Sequence, residues 1–147
     1  MPDADFAEVL RELDALESEL DAVRVTVVEG EDTFSSAPAA QRGALQHLEL
    51  AVRHTVDAAW ALIEEADWDE PEDNLDALEI LVEEDVLPAK LGGSLVTLAE
   101  FAAEHGEDAG WTVDGDPGAA FDRMAEGADA LAEYLDFIHS FLKEWEG

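Results

Sequence analysis

Between Gln41 and Ile63 the chain reads QRGALQHLELAVRHTVDAAWALI, and no other stretch limits the fold as tightly. Leu45, Leu48, Val52, Val56, Ala59 and Ile63 recur three or four residues apart, which places them on one face of a helix. An isolated helix with such a stripe is not stable in water, so other segments must cover it.

The flanking sequence supplies those segments. A first helix over roughly residues 4–29, capped by Asp3 or Asp5, carries Phe6, Val9, Leu10, Leu13, Leu16, Leu20, Val23 and Val27 near a heptad seam, and Gly30 ends it. Glu29 to Pro38 reads as a loop in which Ser35 or Ser36 can cap the central helix, itself spanning about 38–66. After the turn signals of DWDEPEDN, Asp73 or Asn74 can cap a third helix over about 73–86, with Leu75, Leu78, Leu81 and Val82. Pro88 interrupts the pattern. A fourth helix over about 89–104 then carries Leu91, Leu95, Leu98 and Phe101, and Gly92-Gly93 allows a close approach or a bend. A polar loop, HGEDAGWTVDGDPG, precedes a last helix over about 117–145. That helix carries Phe121, Met124, Ala128, Leu131, Leu135, Ile138, Leu142 and Trp145. No segment alternates with period two for long and no internal repeat occurs. The expected fold is therefore all-α: one domain, an antiparallel bundle of four to five helices.

Charge narrows the function classes. The chain carries 38 acidic residues against seven Lys and Arg, a formal net charge of −31, and only Lys90 and Lys143 are lysines. Hydrophobic residues nevertheless make up 48%, enough for a core, so this is no disordered acidic tail. Acid spread evenly through periodic segments reads as a protein of a salt-saturated cytoplasm, where self-repulsion is screened within a few ångströms; the alternative is a low-salt protein that binds a basic partner. The same charge opposes nucleic-acid binding, because no basic patch faces a phosphate backbone. The absence of cysteine excludes disulfides and thiol chemistry. No basic-then-apolar leader opens the sequence and no apolar run approaches a membrane span, so the expected location is the cytoplasm.

Catalytic and metal motifs are sparse. His47 and His54 lie two turns apart, about 10 Å along one helix, too far to share an ion held by that helix alone. The pairs Glu64-Glu65, Glu79 with Glu83 and Glu104 with Glu107 are spacings that arise by chance in so acidic a chain. Nucleophile elbows, phosphate loops and dinucleotide fingerprints are missing. No cofactor and no metal ligand set is expected. Trp60 falls in line with Gln46 and Arg53, off the main stripe, which suggests a second buried surface within the bundle or between subunits. Trp111, in the polar loop, needs a surface to bury against.

The order of these parts resembles the HepT-like HEPN family, small helical proteins encoded beside minimal nucleotidyltransferases as toxin–antitoxin pairs. The central stretch is similar to that family's Glu-Arg-x-Leu-Gln helix and the Ala-x-x-Asp-x-Ala that follows, with Arg42, Leu45, Gln46, Ala51, Asp57 and Ala59 in roughly those places. The similarity continues through Pro71, Leu78 to Leu81 and VLPAKLGGSLVTLAEF. After the Phe, the family carries Arg-Asn-x-x-x-His and usually a Tyr, residues that the resemblance would assign to RNA cleavage and to modification by the partner. Here Ala102, Ala103 and Glu107 stand in the Arg, Asn and His places, and the sole tyrosine, Tyr134, lies on the last helix. In-line cleavage needs an acid–base group and a cation against developing phosphate charge, and neither Ala102 nor Glu107 provides them. His105 is the one remaining catalytic candidate, shifted by two residues and without an Arg. Arg42 and His47 match the bare string but point about 140° apart on their helix.

The resemblance therefore implies a catalytically degenerate member that acts by protein binding, as a homodimer across the central helices. Its implied partner is a minimal nucleotidyltransferase, and the candidate interface residues are Arg42, Gln46, Arg53, Trp60 and Trp111. Two other classes compete: an active enzyme with a rearranged site (an RNase using His105, or a magnesium-dependent nucleotide hydrolase), and an orphan structural module.

Overall fold

The computed structural model describes residues 6–36, 38–105 and 117–146. Among these residues six helices follow one another: α1 (Ala7–Glu29), α2 (Glu31–Ser36), α3 (Pro38–Glu65), α4 (Asn74–Glu83), α5 (Ala89–His105) and α6 (Pro117–Glu146). No strand occurs among the described residues. All five long helices fall where the apolar periodicity places them. Among the described residues no helix is long and apolar enough to cross a membrane.

The sixth helix corrects the reading of Glu29 to Pro38 as a loop. Gly30, in the left-handed region at φ 97°, closes α1 through its own N–H on the Thr26 and Val27 carbonyls. Its carbonyl then accepts the Phe34 N–H, which starts α2 at once. Glu31 and Asp32 suit the positive end of that short helix. Phe34 is buried, its ring 5.5 Å from that of Phe121. One buried ring thus makes a helix of six residues that carry no periodic signal. Ser36, a candidate cap, donates its hydroxyl to the Thr33 carbonyl instead. Asp3 and Asp5 lie outside the described residues, and the side chain of Phe6, the residue before α1, makes no capping hydrogen bond.

α3 is the hub, packing on every other helix and most extensively on α1. Leu48, Val52, Val56, Ala59 and Ile63 are buried as their spacing requires. A second buried line, Ala44, Ala51 and Ala58, uses small side chains that let neighbours come close, and Leu62 continues it with a large one. On α1 the seam Phe6, Val9, Leu13, Leu16, Leu20, Val23 is buried, whereas Leu10 falls off it and is 44% exposed. Between the two faces of α3, the Thr55 hydroxyl donates to the Ala51 carbonyl, and the Tyr134 phenol of α6, fully buried, donates to the Thr55 carbonyl at 2.9 Å.

Helix ends explain the turns. Asp73 caps α4, its carboxylate accepting the Asp76 N–H at 2.8 Å, while Asp76 accepts from the Glu72 N–H. α3 and α4 finish alike. Trp68 N–H reaches the Ile63 carbonyl and Asp67 N–H the Glu64 carbonyl; Val86 N–H reaches Leu81 and Asp85 N–H reaches Val82. Each turn puts an aspartate in the left-handed region, Asp67 at φ 61° and Asp85 at φ 63°. Glycine adopts this backbone without a Cβ penalty, and a carboxylate at a helix C-terminus opposes the dipole. Asp85→Gly should therefore raise stability by about 0.5–1 kcal/mol, read as a higher urea midpoint; an unchanged or lower midpoint contradicts this account.

The Gly92-Gly93 pair divides its labour. A Cβ at Gly92 would strike Val82 Cγ2 of α4, whereas at Gly93 it would meet nothing within 4 Å. Gly92 is therefore the close approach of α4 to α5, and Gly93 is a spare helix glycine. Gly92→Ala should cost about 1–3 kcal/mol by overpacking, while Gly93→Ala should add up to about 1 kcal/mol through helix propensity. Denaturant melts of both variants check the pair of signs.

Candidate functional site

α1 and α3 run antiparallel, and their polar edges meet beside the buried seam. His54 Nδ1 lies 2.8 Å from Glu12 Oε1, and His47 Nδ1 lies 2.9 Å from Glu19 Oε2. One step of seven residues forward on α1 matches seven back on α3, so both contacts report the same register. The two pairs differ in setting. His47 is half-exposed, whereas His54 and Glu12 are both partly covered. Asp57, one turn after His54, joins the inner pair: His54, Glu12 and Asp57 each offer a ligand atom, all within 4.8 Å of one another. Partial desolvation pushes the Asp57 carboxyl above its ordinary value, and the Glu12 and Glu8 charges add to this while His54 and Arg53 oppose it. These three residues could hold a metal ion. Sequence reading set His54 against His47 and missed Glu12, because a contact 42 residues apart has no local signal.

The candidate interface residues separate. Gln46 and Arg53 are exposed on α3, and Arg53 Nη2 donates to Glu49 Oε1 at 3.1 Å, an i,i+4 pair worth only a few tenths of a kcal/mol when solvated. Trp60 is partly buried and donates its indole N–H to Asn74 Oδ1 at 3.0 Å, so it ties α3 to the start of α4 within the chain. The side chains of Arg42 and His105, and all of Trp111, lie outside the described residues, as does the 106–116 part of the polar loop.

Two other features had no counterpart in the sequence reading. A groove of about 510 Å³ runs between α5 and α6, lined by Lys90, Gly93, Ser94, Thr97, Arg123 and Gly127 among others. The hydroxyls of Ser94 and Thr97 donate back to their own helix at the Lys90 and Gly93 carbonyls. At the far end of the bundle, Phe6, Trp145, Phe141 and Trp68 form a chain of rings with centroids 5.6–5.8 Å apart.

No family model matches the sequence, and no curated protein matches it. Solved structures do. A chain of the MntA–HpeT toxin–antitoxin complex superposes with a TM-score of 0.77 at 11% identity, over 90% of this chain and 97% of that one. The tri-AMPylated HEPN toxin of Shewanella oneidensis, solved with its MNT antitoxin, gives 0.76 at 12% identity, over 95% and 99%. This chain has the fold of the HEPN toxins. YutE, a cytosolic protein of unknown function from Bacillus subtilis, gives 0.72 at 20% identity over 100% and 97%. At these identities the HEPN likeness rests on the packing of the helices, and the residues of the site have to be read from this chain itself.

Ala102 and Ala103, where the sequence resemblance expects the Arg and Asn, lie in the last turn of α5, and Glu107, in the His place, lies outside the described residues. Tyr134 is elsewhere, in the core of α6, with its hydroxyl turned onto α3. A phenol in that position is out of reach of any modifying enzyme while the chain is folded.

Proposed function

We propose that this HEPN-fold protein works by binding a protein partner and has lost the RNA-cutting chemistry of the family it resembles. Its partner is a nucleotidyltransferase of the minimal type, and it acts as a homodimer built across the outer face of α3, where Gln46 and Arg53 are exposed. The observation that carries the reading is a HEPN-toxin fold combined with Ala102, Ala103 and Glu107 where the Arg, Asn and His are expected. A net charge of −31 adds to it, since RNA would approach against a strong field. The burial of Tyr134 adds a second point: nucleotide transfer to tyrosine, the modification the resemblance implies, has no accessible acceptor.

The acid surface fits a cytoplasm of molar salt, and the test is run there. Tagged protein is purified from a host lysed in molar KCl, and the co-purifying proteins are identified by mass spectrometry while the mass of the complex is measured. A nucleotidyltransferase in stoichiometric amount supports the pairing; the chain recovered only with itself removes it. In parallel, ribonuclease activity above background that disappears in His105→Ala would overturn the claim of lost catalysis.

A further inference from the structure

We infer that Glu12, His54 and Asp57 form a binding site for a divalent transition-metal ion across the α1–α3 seam. Their chemistry is mixed, one imidazole nitrogen and two carboxylate oxygens, with Glu12 and His54 partly covered and Asp57 exposed at the edge of the seam. The donors come from two helices: His54 and Asp57 stand one turn apart on α3, and Glu12 projects from antiparallel α1. Both helices are anchored immediately behind the cluster by buried Val9, Leu13, Leu16, Val52 and Val56, so the backbone positions are fixed before any ion arrives.

The spacing fits. Ligands about 2.0–2.2 Å from a tetrahedral ion stand about 3.4 Å from one another. His54 Nδ1 and Glu12 Oε1, 2.8 Å apart in a hydrogen bond, would give up the shared proton and open to about 3.4 Å around an ion, and all three donor atoms lie within 4.8 Å of one another. Three protein ligands leave a fourth position for water. Two carboxylates within 4.8 Å of one another and of the imidazole also present two formal negative charges to a dication. Imidazole favours zinc, nickel, cobalt or copper over magnesium and calcium, which prefer all-oxygen shells.

The second pair on the same seam provides the control. His47 and Glu19 repeat the imidazole–carboxylate contact two turns away, but they belong to no group of three donors among the described residues. A metal site should discriminate between the two pairs; diffuse counterion binding should not.

The experiment uses the full chain in molar KCl, which suppresses diffuse condensation, with Zn²⁺ titrated by calorimetry and Co²⁺ followed by its absorption spectrum. One ion per chain is expected, with the melting temperature rising with Zn²⁺ and not with equal Mg²⁺. His54→Ala and Asp57→Asn should each weaken Zn²⁺ by about tenfold to hundredfold or more, and His47→Ala should leave it unchanged. Asp57→Asn conserves shape, so the test stands even if His54→Ala disturbs folding. The proposal is overturned if no Zn²⁺ binds, if several weak ions bind equally in all variants, or if His47→Ala matches the loss seen in His54→Ala.

Discussion

Raising KCl from about 0.1 M to about 2 M should lift the melting temperature by roughly 10–20 °C. At most seven of the 38 carboxylates can pair one-to-one with a lysine or arginine, so 31 negative charges remain on a small folded body. Screening shrinks the reach of each charge from about 10 Å at 0.1 M to about 3 Å at 1 M. Folding brings the charges together, so the repulsion removed by salt is larger in the folded state than in the expanded chain. A relief of about 5 kcal/mol, at about 2–4 °C per kcal/mol for a domain of this size, gives the shift stated. Thermal melts at increasing KCl, against a matched series in sorbitol, separate screening from general solvent exclusion. A flat or falling curve in KCl would remove the reading of the acid surface as an adaptation to salt.

Alkali should unfold the protein through one phenol. The ordinary tyrosine value is 10.0, and complete burial pushes Tyr134 well above it. The folded state therefore keeps a proton that the unfolded state releases. Below about pH 10 both states hold the proton and Tyr134 contributes no slope; above it the unfolded state binds fewer protons and stability falls by about 1.4 kcal/mol per pH unit. Over two units that is about 3 kcal/mol, a large share of a typical domain stability. Because Tyr134 is the sole tyrosine, phenolate absorbance reports it without ambiguity. The absorbance should stay flat until the helix signal is lost, and then both should change together. Tyr134→Phe should remove the alkaline slope at a cost of about 1 kcal/mol at neutral pH from the missing hydrogen bond to Thr55. Phenolate appearing in a protein that is still helical would show that the ring is not held in the core. The same result would reopen Tyr134 as an acceptor for nucleotide transfer.

The sequence by itself determined the architecture. Spacing of three and four along five segments defined the five long helices and the main buried stripe of each, because amphipathic periodicity is local and survives without knowledge of partners; the flanking buried residues, such as Ala51, Ala58, Ile80 and Tyr134, were not on those stripes. It also marked Gly30 as the end of α1 and Asp73 as a cap for α4, both matters of a few adjacent residues. Charge, absence of cysteine and absence of a membrane span needed no structure at all.

Tertiary structure decided what depends on distant neighbours. α2 exists because Phe34 has a pocket beside Phe121, almost ninety residues later, which no window around Glu29–Pro38 contains. Gly92 and Gly93 are alike in sequence, and only the approach of Val82 makes one indispensable. The second buried face of α3 runs through Ala44, Ala51 and Ala58 because α3 lies between partners, whereas the sequence had placed a second buried surface along Gln46, Arg53 and Trp60, of which Gln46 and Arg53 are exposed. His54 is the clearest case. Within its own helix it has a distant histidine and Asp57 one turn on; the antiparallel return of α1 puts Glu12 at 2.8 Å and completes a group of three donors. Side-chain periodicity is written into each segment, but the meeting of two segments is set by how all the stripes are covered at once.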